Sequence, residues 1–248
     1  MNYKALLESQ EKPYRVFPKV THYKNSITNE RYFSNYLSYH VMPTIEELKK
    51  DLAYLTEEQK DYPSQFAFIF FAKNAPLPES IETYLADEAF DLENHLIFTN
   101  KITNLKLSPQ KQEHIRIEAL SDDLLPSYLA YKYEANLEYG ESYAQQMLAD
   151  NKANLMKSES RIYLAIDGDQ IVGDITAWEC GDFIEMDDFS VLSHYRGQGI
   201  GSALQRRASK DFEQIILITE EENRLMYQHQ GYQEVAYYWT ALQSNRKR

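Results

Sequence analysis

Apolar and polar positions alternate in some stretches of this chain and recur every three to four residues in others. "RYFSNYLSYHV" (31–41) alternates as a strand does, whereas "PTIEELKKDLAYL" (43–55) has helical spacing, with Ile45, Leu48, Leu52 and Leu55 on one stripe. Thr44 followed three residues later by Glu47 predicts a capping box at the start of that helix. "QFAFIFFA" (65–72) reads as a buried strand, "LPESIETYLADEAF" (77–90) as a helix with Pro78 in its first turn, and "ENHLIFTN" (93–100) as another strand. The polar stretch "KITNLKLSPQKQ" (101–112), with its Ser-Pro turn signal, predicts a linker.

Beyond it the pattern starts afresh. "HIRIEAL" (114–120) predicts a strand, and 121–140 and 141–157 predict two helices separated by Gly140. Three strands follow, "RIYLAID", "QIVGDITAWE" and "FIEMDDFSV", turning at Gly168 and Gly181. A helix over 200–213, a strand "QIILITEE", a helical "NRLMYQHQ" and a final strand "YQEVAYYWTAL" complete a mixed α/β layout. Strand, helix, strand occurs at 65–100 and again at 214–242. All eight prolines lie at or before Pro126 and all eight glycines at or after Gly140, which supports two units, 1–107 and 113–248.

Composition narrows the function. The chain of 248 residues has no apolar run long enough to span a membrane, and its polar start, "MNYKALLESQEKPYRV", lacks a secretory apolar segment, so a cytoplasmic protein without a membrane partner is expected. One cysteine, Cys180, and scattered histidines give no disulfide and no metal-ligand spacing, so no metal is expected. The net charge of -12 is concentrated in 113–248, with 13 Lys/Arg against 23 Asp/Glu. That excludes a basic footprint for nucleic acid and favours a cationic partner.

Against this acidic background stands "HYRGQGIGSALQRR" (194–207), with glycines at 197, 199 and 201 opening a helix that carries Arg206, Arg207 and Lys210. Alternate glycines let several backbone N–H groups converge at a helix N-terminus, where phosphate oxygens are held. A dinucleotide loop needs its third glycine one residue later, and a triphosphate loop needs Gly-Lys-Ser/Thr; neither is present. Arg196, Gly199 and Gly201 in the pattern R-x-x-G-x-G resemble the acetyl-CoA loop of the GNAT acyltransferase superfamily. The segment "ENRLMYQHQGYQ" is similar to that superfamily's asparagine, tyrosine, glycine-aromatic pattern, here Asn223, Tyr227, Gly231 and Tyr232.

The resemblance implies a GNAT fold over 113–248, a mostly antiparallel central sheet flanked by helices, preceded by a smaller α/β unit with a degenerate likeness to part of such a domain. It also implies an N-acetyltransferase that passes an acetyl group directly from acetyl-CoA to an amine. Arg196, Gly197, Gln198, Gly199, Ile200, Gly201 and Ser202 would hold the cofactor's phosphates, Phe189, Ser190 and Val191 its pantetheine arm and thioester, and Asn223 a further part of the arm. Glu185 falls where family members keep a general base, and Tyr227 is the candidate acid for the departing thiolate. Strand alternation puts Glu185 and Asp187 on one face and Asp188 on the other. Tyr128, Tyr131, Tyr133, Tyr139 and Tyr143 lie in the two helices of the acceptor side, where Tyr131 and Tyr139 with Asp187 would meet the amine, as an aromatic box or as ordinary packing. No G-x-S-x-G elbow or Cys-His pairing supports a covalent enzyme intermediate. The alternative is a CoA-binding sensor or scaffold whose N-terminal unit engages a partner; a monomer or homodimer fits either.

Overall fold

The computed structural model describes residues 1–63, 65–155 and 160–244. It contains helix α1 (Tyr3–Glu8), strands β1 (Arg15–Val16), β2 (Val20–Tyr23) and β3 (Tyr36–Tyr39), α2 (Ile45–Glu58), β4 (Ala67–Phe70), α3 (Glu79–Asp87), β5 (Asp91–Lys101) and β6 (Arg116–Ala119). These are followed by α4 (Leu125–Asn136), α5 (Glu141–Asn154), β7 (Arg161–Asp167), β8 (Gln170–Cys180), β9 (Phe183–Val191), α6 (Ile200–Ala208), β10 (Gln214–Glu220), α7 (Arg224–His229) and β11 (Gln233–Gln243). The end of the helix expected over 141–157 lies outside the described residues.

Packing divides the chain elsewhere than composition does. One compact unit is Met1–Gln10 with Ile97–Val235, and the other is Glu11–Leu96 with Ala236–Arg248. Strands β5 and β11 each begin in one unit and end in the other.

In the unit built on Glu11–Leu96, the strands run in the order β1-β2-β3-β4-β11. All pairs are antiparallel except β3 with β4. Helix α2 begins as its sequence predicts: the Thr44 hydroxyl accepts from the Glu47 N–H, and the Glu47 carboxylate accepts from the Thr44 N–H. Its stripe of Leu48, Leu52 and Leu55 is buried against Leu37, Ile69 and Phe71 of the sheet and Ile81 and Leu85 of α3. Each such side chain contributes about 1.5–3 kcal/mol of burial. The alternating run 31–41 is split: the buried Asn35 amide donates to the carbonyls of Thr28 and Arg31, closing a turn before β3.

In the other unit the order is β5-β10-β9-β8-β7-β6, antiparallel from β6 to β9, with β10 parallel to β9. The two faces are sorted by strand alternation. Ile162, Leu164 and Ile166 of β7 pack with Tyr128 of α4, while Tyr163, pointing the other way, lies under the Arg207 guanidinium of α6. Helix α6 is shorter than the 200–213 expected; it stops at Ala208, and Asp211 and Phe212 turn away to engage Arg161. Among the described residues, no helix is long and apolar enough to cross a membrane, and no group of three or more His, Cys, Asp or Glu could hold a metal ion.

Candidate active site

Strands β9 and β10 pair for only three residues, ending at Glu185 opposite Ile216. Beyond that point Met186 to Val191 and Leu217 to Glu220 continue as strands without pairing to each other. Parallel neighbours that part in this way leave a wedge lined by main-chain N–H and C=O groups, which must find water or a ligand. Glu185 stands at its apex.

The glycine loop follows β9 directly. Gly197 and Gly199 have φ of 75° and 81°, a conformation that costs an ordinary residue roughly 1–2 kcal/mol. None of the backbone N–H groups of residues 197–202 has a protein acceptor among the described residues. At the positive end of α6 they can receive phosphate oxygens. Ile200 is buried and can offer only its main chain, and Gly201 lies under the Phe189 ring, leaving no room for a side chain.

The stretch expected to be a linker is a strap on this loop. Ser108 N–H donates to the Ser202 hydroxyl, Lys111 N–H to the Gln198 carbonyl and Lys111 Nζ to the Gly197 carbonyl at 3.0 Å. Arg206 donates to the carbonyls of Leu107 and Ser108, so it ties down the strap, and Arg196 Nε donates to the Val191 carbonyl at 2.9 Å. These cations brace the loop's backbone.

Asp188 departs from the alternation expected of it. Two residues of β9, Asp188 and Phe189, stand opposite Ile175 alone, forming a bulge between the pairs Thr176↔Asp187 and Asp174↔Ser190. With φ of 36° Asp188 turns back to the face that holds Asp187 and meets Lys132 of α4 at 2.8 Å. The Phe189 ring turns the other way, toward α6. Asp174, fully buried, accepts hydrogen bonds from Tyr128 at 3.0 Å, Ser190 at 2.5 Å and Lys132 at 3.3 Å. Burial raises its pKa while Lys132 opposes the rise, and the two carboxylates hold the Lys132 ammonium above its ordinary value despite burial.

The candidate proton carriers sit differently. Tyr227, on α7, is half-buried between the rings of Phe98 and Tyr232, and its hydroxyl has no hydrogen-bond partner among the described residues. Burial and the charge of Glu220 raise its pKa, keeping the phenol protonated. Glu185 is half-buried and accepts from the Cys180 thiol at 3.5 Å; burial and this carboxylate push the thiol up to about 12, so it is inert. Gln10, arriving from the chain's first residues, donates to Cys180 from the other side.

The remaining expected residues are spread around these. Asn223 stands at the N-cap position of α7 without a side-chain capping bond; its amide donates to Glu220 at 3.3 Å. Asp187 accepts from the Trp178 indole at 3.3 Å. Tyr131 shares a hydrogen bond with Ser190 at 2.9 Å, whereas Tyr139 is exposed and packs on Tyr143. The tyrosines form two separate pairs, Tyr128 with Tyr131 and Tyr139 with Tyr143. Lys132, Asp174 and the strap were missed by sequence reading. A single lysine in a helix and an aspartate in "QIVGDITAWE" carry no local sign of pairing.

Residues 158–234 match the family model described as an acetyltransferase (GNAT) domain, and residues 13–98 match a domain of unknown function, DUF5613. A functionally unknown conserved protein from Staphylococcus epidermidis ATCC 12228 is 22% identical, with 95% of each chain covered and a TM-score of 0.83. A GCN5-related N-acetyltransferase from Sphaerobacter thermophilus is 14% identical, covering 98% of this chain and 86% of the other, with a TM-score of 0.62. A tandem GNAT protein from the clavulanic acid biosynthesis pathway is 11% identical, covering 81% and 70%, with a TM-score of 0.50. A search of curated proteins finds no match. The fold is mixed α/β, a large and mostly antiparallel sheet flanked by helices, as in those GNAT structures. The GNAT match lies in the C-terminal part of the chain, at 158–234, and the fold is that of solved GNAT structures, with a further unit on the N-terminal side.

Proposed function

We propose that the protein is an acetyl-CoA-dependent N-acetyltransferase acting on a primary amine of a cationic acceptor. The observation that carries this reading is the wedge between β9 and β10, followed directly by the 197–202 loop, whose N–H groups have no protein acceptor among the described residues. The loop fits a diphosphate because its N–H groups have no protein acceptor among the described residues, and the wedge fits an extended amide-containing arm because β9 and β10 no longer pair with each other there. The main chain of Phe189, Ser190 and Val191 faces the arm and the thioester carbonyl, and one N–H aimed at that oxygen contributes on the order of 3 kcal/mol as charge builds on it.

The amine nitrogen forms the new N–C bond as the C–S bond breaks. Glu185 removes the proton that the ammonium form must lose, directly or along water, and passes it to solvent; Tyr227 delivers a proton to the departing sulfur and is reprotonated, through water, by the second proton that the nitrogen sheds as the amide forms. Asp187, on the α4 side of the sheet, supplies negative charge for a cationic acceptor, with Tyr131 and Tyr139 as further contacts. The unit built on Glu11–Leu96, whose sequence has no glycine, is read as a GNAT-like copy without a cofactor loop.

Calorimetry with acetyl-CoA and a thiol-release screen of amines test this together. Binding of one acetyl-CoA per chain with turnover on cationic amines is expected. Tight binding with no turnover on any amine would favour a CoA sensor instead, and no binding would remove both.

A further inference from the structure

The β9 bulge is bracketed by one ionic cluster, buried at Asp174 and Lys132 and half-exposed at Asp188. Asp188, its first residue, is clamped by Lys132 at 2.8 Å; Ser190, just past it, is clamped by Asp174 at 2.5 Å; and Lys132 joins the two carboxylates by also reaching Asp174 at 3.3 Å. Tyr131 holds Ser190 from the outside and Tyr128 completes the hydrogen bonding of Asp174. Between the clamps stands Phe189, on the strand edge that β10 has left unpaired.

A non-glycine residue at φ of 36° persists only where its surroundings over-determine it. Apolar side chains of similar size would fill the same space without the desolvation cost of burying Asp174, so fixed geometry is what the cluster offers beyond packing. We infer that Lys132 and Asp174 are positioning residues, holding residues 188–190 in the bent form in which β9 presents its main chain to the thioester. The inference rests on the transferase reading for its consequence, but not for its structural content. Lys132 touches no reacting atom; it acts through Asp188 and, by way of Asp174, through Ser190.

Amide hydrogen exchange and kinetics on the full chain separate the two. Asp188→Ala removes one clamp at a half-exposed position and leaves the Lys132–Asp174 pair intact, so the fold is retained. Exchange in the peptide spanning 187–191 should rise tenfold or more while β7 is unchanged, and kcat should fall at least tenfold with KM for acetyl-CoA within about twofold. Asp188→Asn, which keeps an oxygen for Lys132, should restore most of both. The double variant Lys132→Met with Asp174→Asn, which leaves no unpaired charge in the interior, should show the same local exchange. Wild-type exchange across 187–191 in both folded variants would overturn the inference. Faster exchange in variants of a protein that acetylates no amine would uphold the positioning and discard the transferase reading.

Discussion

A methyl group added to Gly199 would lie 2.0 Å from the carbonyl oxygen of Pro109, so the strap and the glycine loop meet with no space for a side chain. Gly199→Ala must move that backbone and adopt an unfavourable φ as well, at a cost of about 2 kcal/mol or more. Acetyl-CoA affinity measured by calorimetry should fall at least tenfold. Gly197→Ala, whose Cβ meets open space, should cost only about 1 kcal/mol and leave most affinity in place.

Tyr227→Phe keeps the ring contacts with Phe98 and Tyr232 and removes the proton. Acetyl-CoA binding should persist while kcat falls by ~10². Because burial raises the Tyr227 pKa, any loss of wild-type activity from its ionisation should come above the ordinary phenol value. A variant with unchanged kcat would remove Tyr227 from the chemistry.

Glu185→Gln should slow turnover most below the acceptor amine's own pKa, where a proton must be removed before attack, and the deficit should shrink as pH rises. The profile of kcat against pH, compared with that of Tyr227→Phe, distinguishes base from acid. A deficit constant at all pH values would make Glu185 a structural partner of Cys180.

His22 gives the Glu11–Leu96 unit a pH-dependent stability. Burial lowers its pKa to about 4, while it hydrogen-bonds Tyr54 at 2.9 Å. The unfolded imidazole binds its proton near pH 6.5, so the unfolded state holds more protons between about 6.5 and 4. The contribution is complete above 6.5, is lost as pH falls through that window, and amounts to on the order of 3 kcal/mol. Urea midpoints at pH 7 and 5 should drop less in His22→Gln than in the wild type; equal drops would show that His22 does not titrate on unfolding.

Local chemistry made much of this protein legible in its residues. The Thr44–Glu47 box, the stripe of Leu48, Leu52 and Leu55, and the order of elements from 114 onward follow from interactions within a few positions, where steric and hydrogen-bonding rules act directly. The glycine loop was readable for the same reason, since its backbone conformation is a property of the glycines themselves. Contacts between distant residues left no such mark. Residues 107–112 have the polarity of any linker, and only the carbonyls they offer to Arg206 and the N–H groups they send to the loop make them a strap. Met1–Gln10 joins the unit of Ile97–Val235 because Gln10 reaches Cys180 and Tyr3 packs on Phe183. Asp188 obeyed a bulge rather than strand alternation, because Lys132, 56 positions away in sequence, holds its carboxylate. Pairing of that kind depends on which buried charges the fold brings within about 3 Å, and a burial energy shared across the whole chain sets that distance.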